Sequence, residues 1–488
     1  MSSFPDPVYA QIILGPQFAE SQKWLFEPML ESSEAHLLML LAQDLMPADQ
    51  AARVAAALGE MRRAGAGAFA YAPEIEDLFF QMEARVLESA GEEAGGNLHL
   101  ARSRNDLDAA MARLTVRRLL LETDAALSKL RSTFLRLIGK HVRTLMAGHT
   151  HTQPAQPTTL AHYLASTAQA LERDADRLHA AFGCTNRGPL GAAALTTSGF
   201  AIDRDLSARL LGFDDVVINS YDAIGGVDYA LESLNVLTTC VLGLSRLIHD
   251  LLQWATREFS VLHIDAAFLQ ISSIMPQKKN PVVLEHLRAR IGWVLGDAHT
   301  AATLVHSAAL GDTVDVEDEL YEPLFRTFEH GLGVLRLLDA ALGTCTFDVD
   351  LLAQRASEGF TTATELADTL VRRAGLPFRQ AHRVASRVVQ LSEAQPGRVT
   401  TDLVDEAACQ ALGRPVHLKE GDLRAALDPW AFVEQRTIAG GPAPSAMQAH
   451  LEQMRARLDA DDAWRQACLA QINDARAERQ RRIAALST

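Results

Sequence analysis

The sequence predicts an all-α protein, and three observations carry that expectation. Apolar residues recur at helical steps of three and four over long stretches: Leu234, Leu237, Val241, Leu244, Ile248 and Leu251 form one continuous stripe. Alternating β-type runs bounded by turn residues are scarce, and aromatic residues make up only 6% of the chain, so a large sheet has little support. The 488 residues are 48% apolar, ample material for a buried core.

The elements follow in order. An early helix carries Leu107, Met111 and Leu114, then Leu130, Phe134 and Leu137. Leu160, Leu164, Leu171 and Leu178 sit on a heptad frame, and Leu284, Leu287, Ile291 and Val294 step three, four, three, so several long helices are expected to pack side by side. Gly375, Leu376 and Pro377 read as a helix stop and a new start, and 438–447 reads as a loop leading into a helix at Pro444 or Ser445. The last forty residues are charged and favour helix. Breakers divide the chain into an N-terminal helical domain (1–106), a central long-helix bundle (107–362) and a C-terminal helical domain (363–488).

Charge narrows the function. A formal net charge of −15, with Lys and Arg dispersed, opposes binding to nucleic acid or to an anionic membrane surface. The apolar stretch from Leu234 to Leu252 carries Ser245, Arg246, His249 and Asp250, so no membrane span is expected, and the N-terminus lacks the pattern of a signal peptide. Five scattered cysteines without a CxxC pair fit a reducing compartment, which makes the cytoplasm the expected location.

Three polar segments interrupt the helices where packing alone does not require them. In 97–106, Ser103 or Asn105 is placed to cap the following helix, and Arg104 with Asn105 is suited to binding a carboxylate. In 148–157, a loop rich in hydrogen-bonding side chains precedes the heptad helix. Its His149 and His151 lack a nearby carboxylate or thiolate, a poor metal set, so proton transfer or carboxylate binding is the better reading and no metal or organic cofactor is expected. In 269–281, serine hydroxyls, an ammonium and a carboxamide lie within a dozen residues, suited to an anion whose charge grows during reaction. Each segment also has a plainer reading as an ordinary helix-capping turn or loop.

Together the segments GGNLHLARSRND, THTQPAQP and SSIMPQKKNP, in that order, resemble the aspartase/fumarase superfamily, and among its branches argininosuccinate lyase. The stretches PLGAAALTTSGFAIDR, LADTLVRRAGLPFRQAH and FVEQRTIAGGPAPSAM extend the likeness over most of the chain beyond about Glu76, whereas the first seventy residues match poorly. The resemblance implies a homotetramer built round the long-helix bundle, with each active site assembled from three subunits. It also implies removal of an amine from a succinyl group to give fumarate. Carried over residue by residue, Ser272 matches the proposed base, and Lys278 and Asn280 match groups that stabilise the carbanion. Arg104, Asn105, Thr150 and His151 match segments that hold the carboxylates; His151 is also a candidate for activating the serine or protonating the leaving group. Gln153, Ser273, Met275, Thr313 and Asp318 complete the expected substrate contacts, Ser273 standing second to Ser272 as the reactive hydroxyl.

The departures are equally specific. Ile271 replaces the Gly before the paired serines, and Val282 replaces the Asp after Asn-Pro. The family segment TYNRDLQEDKEPLF is DTVDVEDELYEPLF here, so Tyr, Gln and Lys become Thr313, Asp318 and Tyr321. The expectation is therefore a carbon–nitrogen lyase acting on an N-substituted aspartate other than argininosuccinate, its partners a small dicarboxylate or N-succinyl amine. The alternatives are authentic argininosuccinate lyase, favoured if Asp315, Glu317 or Asp318 reaches a guanidinium, and a non-catalytic crystallin-like protein.

Overall fold

The computed structural model describes residues 4–394 and 399–486. Helices dominate it, and the longest coincide with the apolar stripes. We label the principal ones α1 (Phe26–Ala42), α2 (Leu78–Ala90), α3 (Arg104–His141), α4 (Leu160–Thr185), α5 (Asp228–Trp254), α6 (Val282–Val305), α7 (Asp318–Thr344) and α8 (Pro444–Ala485). Every leucine of the heptad frame on α4 is buried, as is every residue of the stripe on α5 and of the 284–294 pattern on α6. Helix α5 is long and apolar enough to cross a membrane, yet its stripe lies in the protein core against neighbouring helices. The strands are short pairs, with no sheet of more than two strands among the described residues.

Local chemistry sets the helix ends. Ser103 caps α3, and the backbone N–H of Ser103 donates to Asp106 Oδ1 at 2.9 Å, which completes a reciprocal capping box. Of the two caps the sequence offered, Ser103 is the one used. Gly375 ends the helix Ala363–Ala374 in the left-handed conformation (φ +68°), and the next helix starts at Phe378, just past Pro377. One segment differs from expectation: 145–159 is an antiparallel hairpin, Leu145–Thr150 (β1) paired with Gln153–Thr159 (β2), instead of a loop. Its prolines and hydroxyls conceal the strand pattern, and only Met146 and Ala147 of the first strand are buried.

A second apolar cluster, from Leu366 to Ala426, is separate from the main core. Helix α8 does not join it; Met447, Leu451, Met454 and Leu458 belong to the main cluster. Buried ion pairs fix α8 there. Arg131 of α3 meets Asp461 at 2.6 Å, and Arg479 meets Glu31 and Glu34 of α1 at 2.8 and 3.1 Å. The charged character of the C-terminal sequence thus serves docking as well as solvation. Because a buried charge stripped of its partner is costly, Asp461→Ala is expected to destabilise the fold by about 3–5 kcal/mol, and Arg131→Leu with Asp461→Leu to recover much of that loss. Urea unfolding of the three proteins checks this; equal stability of single and double variants would contradict it.

Candidate active site

The chemistry-bearing residues lie in three patches on one chain. The first is the serine loop. Gln270–Ile271 (β3) pairs antiparallel with Lys279–Asn280 (β4), closing a loop that carries Ser272, Ser273, Met275 and Lys278. Ser272 Oγ accepts backbone N–H groups from Met275 at 3.1 Å and, at the limit of hydrogen bonding, from Ile274 at 3.5 Å. Those donors favour negative charge on the oxygen, a local contribution to the alkoxide that a serine base requires. Ser272 and Asn280 are half-buried and the rest of the loop is exposed, including Ile271 at 77% and Ile274 at 83%. Apolar side chains so bare on one loop are unusual for a surface that meets only water.

The second patch is the tip of the β1–β2 hairpin. Thr150 pairs with Gln153, so His151 and Thr152 form a two-residue turn, with φ of +52° and +62°. Such turns favour Asn-Gly, and a histidine and a threonine in the left-handed region store strain of the kind found at functional sites. Thr150, His151 and Gln153 are exposed. Below the tip, Gln156 Nε2 donates to Thr364 Oγ1 at 3.0 Å, and His162 of α4 lies between the hairpin and the Gly440 carbonyl, its Nδ1 2.8 Å from Thr158 Oγ1 and its Nε2 2.9 Å from that carbonyl.

The third patch surrounds the start of α3. Asn105 Nδ2 donates to the carbonyl of Ala194 at 3.2 Å. Arg104 pairs with Asp77 at 2.8 Å and lies 3.8 Å from Asp108, above the rings of Phe79 and Phe80. A cavity of about 80 Å³ is lined by Arg104, Asp77, Asp108, Asp318 and Tyr321, among others. Thr313 Oγ1 is buried without a hydrogen-bond partner, and Tyr321 Oη donates to the backbone carbonyl of Asp108 at 3.4 Å.

The electrostatics of this patch were not legible in the motifs. Burial raises the pKa values of Asp108, Glu317 and Asp318, and for Glu317 the neighbouring Asp108 carboxyl adds to the effect, so the Asp108–Glu317 pair retains a proton at neutral pH. Arg104 is held charged by Asp108, Asp77 and Asp318 against the cost of its burial. The pairings of Asp77 with Arg104 and of Asp108 with Glu317 gave no sequence signal because the partners are distant in the chain. Asp106 could have been found from the Ser-x-x-Asp spacing alone.

Among the described residues, no hydrogen bond or ion pair joins any two of the three patches. The structure brings Arg104, Asn105 and Asp318 into one patch; Thr150, His151 and Gln153 form another, and Ser272, Ser273, Met275, Lys278 and Asn280 the third. No group of three or more His, Cys, Asp or Glu side chains among the described residues is arranged to hold a metal ion.

Comparison with known proteins then identifies the class. Residues 19–296 match the family model described as Lyase, and residues 360–434 match that described as Argininosuccinate lyase C-terminal. An argininosuccinate lyase of Methanoculleus marisnigri is 38% identical over 448 residues, covering 91% of this chain and 90% of that protein. Argininosuccinate lyase 2 of Agrobacterium fabrum is 35% identical over 466 residues, covering 95% and 92%. The crystal structure of EDDS lyase in complex with formate superposes with a TM-score of 0.89 at 29% identity, covering 99% of this chain and 98% of that one. A class II fumarase from Schistosoma mansoni shares the fold at a TM-score of 0.68 and 15% identity, covering 86% and 91%. The fold and these matches define a fumarase-type lyase. The chain belongs to the argininosuccinate lyase-like branch of the aspartase/fumarase superfamily and is a carbon–nitrogen lyase.

The acid pair yields a stability prediction with a definite sign. Glu317 binds its proton more tightly folded than unfolded, so its contribution is fully present below the ordinary carboxylate range near pH 4 and is lost as pH rises toward the folded value. Glu317→Gln mimics the protonated acid without that loss. Its Tm is expected to exceed that of the parent at pH 8 and to match it near pH 4; a variant equally or less stable at pH 8 would contradict the assignment.

Proposed function

We propose that this lyase acts on an N-substituted aspartate other than argininosuccinate, releasing fumarate and an amine, and that it also runs in the addition direction. The observation that carries the reading is the 312–321 segment. Where the related segment carries Tyr, Gln and Lys, this chain has Thr313, Asp318 and Tyr321, with Asp318 and Tyr321 lining one cavity with Arg104. A site built from different polar groups discriminates strongly against the old ligand.

In the proposed reaction Ser272, as alkoxide, removes the proton from the carbon beside one carboxylate. Lys278 and Asn280 hold the dianionic aci-carboxylate that results, Asn105 and Thr150 hold the succinyl carboxylates, and Arg104 adds positive charge beside Asn105. The C–N bond then breaks with its electron pair on the nitrogen, and His151, protonated at the outset or by having taken the serine's proton, donates a proton to that nitrogen. The bare apolar residues of the serine loop and the separation of the three patches support a homotetramer in which neighbouring chains complete each site. The structural likeness to EDDS lyase favours aminopolycarboxylates as the substrate class.

A second reading, authentic argininosuccinate lyase, is favoured by the names of the relatives and by one feature of the structure: Asp318 lines the same cavity as the guanidinium of Arg104. Incubation with fumarate and a broad amine panel, followed by mass identification of adducts, separates the two. Adducts with amines and none with arginine support the proposal; arginine as the preferred partner overturns it. Ser272→Ala is expected to abolish turnover, followed by fumarate absorbance, while leaving substrate affinity within about threefold. Turnover near the parent rate would remove Ser272 as the base. Joint replacement Val282→Asp and Thr313→Tyr is expected to raise kcat/KM for argininosuccinate; no gain would count against these positions as specificity determinants.

A further inference from the structure

Asp106 is fully buried, and the reaction as described gives it no part. Beyond its capping bond to Ser103, its second oxygen accepts two backbone N–H groups from a distant turn, Gly191 at 2.7 Å and Ala193 at 3.1 Å. Arg204 grips the same turn from the carbonyl side. Its guanidinium donates to Pro189 and Leu190 at 3.3 Å each, and also to Val217 at 2.8 Å and Ile218 at 3.2 Å. An anion on the amides and a cation on the carbonyls thus clamp one stretch of backbone.

That stretch is strained. Gly191, Ala193 and Thr197 have φ of +87°, +51° and +62°. A Cβ on Gly191 would stand 2.7 Å from Arg204 Cγ, so the clamp closes too tightly for any other residue there. A non-glycine residue persists in the left-handed region only where its surroundings over-determine it, and at Ala193 the buried Asp106 and the half-buried Arg204 supply that constraint. The next residue of the turn, Ala194, presents the carbonyl that accepts from Asn105 Nδ2 at 3.2 Å.

We propose that Asp106 is a positioning residue of the lyase site: through the Gly191–Ala194 turn it fixes the Ala194 carbonyl, and with it the orientation of the Asn105 carboxamide toward a substrate carboxylate. This rests on the reading that Asn105 contacts the succinyl group. The Asp106 carboxylate holds its own helix start and the turn with the same two oxygens, so Arg104, Asn105 and the 191–194 backbone move as one body. Replacing it with asparagine puts an N–H beside a backbone donor and opens the clamp on one side.

Succinate, an unreactive dicarboxylate, is the probe, with its dissociation constant measured by calorimetry on the intact oligomer. Asn105→Ala is expected to weaken succinate binding about tenfold, Asp106→Asn by a similar factor, and the double variant little more than either single one, because both changes act on one contact. In turnover, Asp106→Asn is expected to raise KM about tenfold with a smaller change in kcat. Unchanged affinity in Asn105→Ala would overturn the assignment of Asn105, and with it this inference. Weakened binding in Asn105→Ala but parent-like binding in a folded Asp106→Asn, or fully multiplying effects in the double variant, would overturn the positioning role alone. If Asp106→Asn does not fold, Arg204→Lys carries the test, since it keeps the charge and loses the fork on the carbonyls. It too is expected to weaken succinate binding in proportion to its loosening of the turn, and parent-like affinity would overturn the proposal.

Discussion

Side-by-side packing of long helices is the constraint from which the rest follows. The stripes on α4, α5 and α6 are closed to polar groups: the leucines at 164, 244 and 287 have no exposed surface. A core of this kind leaves no interior place for a hydroxyl base or a carboxylate clamp, because an unpaired polar group there costs more than it returns. The reactive side chains therefore sit where the helices stop, on the serine loop before α6, on the hairpin before α4 and at the first turn of α3.

The same constraint explains why the three patches are separate. Helices of 24 to 38 residues carry their ends far apart, and in the proposed homotetramer those ends close into one site where helices from different chains lie together. The loop around Ser272 has the marks of an element completed by a neighbour: two backbone donors already turned on the hydroxyl oxygen, and bare isoleucines on either side. In the α3 patch, Asp77, Asp108 and Asp318 line the same cavity as the Arg104 guanidinium, and the proposed change at the amine end of the substrate rests on this segment.

Much of this was readable before any coordinates. Helical periodicity located α3 to α6 because burial imposes it directly, and the helix stop at Gly375 and the start at Pro444 followed from backbone chemistry alone. Motif resemblance marked Ser272, His151 and Lys278. The hairpin at 145–159 escaped because Pro154 and Pro157 break the pattern that would announce a strand, and its exposed edge needs no apolar alternation. The docking of α8 escaped because it depends on Arg131–Asp461 and Arg479–Glu34, pairs formed between opposite ends of the chain. The Asp108–Glu317 pair and the clamp on Gly191 escaped for the same reason: local sequence reports capping and periodicity, whereas a buried charge takes its meaning from partners that only the fold supplies.

In the proposed homotetramer, the serine loop and the hairpin of one site belong to different chains. The direct measurement is activity recovered on mixing and co-refolding two inactive variants, Ser272→Ala and His151→Asn. If sites are shared, random hybrids regenerate about one site in four carrying both intact residues, and activity returns to that level. Hybrid oligomers that form and remain as inactive as their parents would place Ser272 and His151 in one chain's site, or in no common site, and contradict the account.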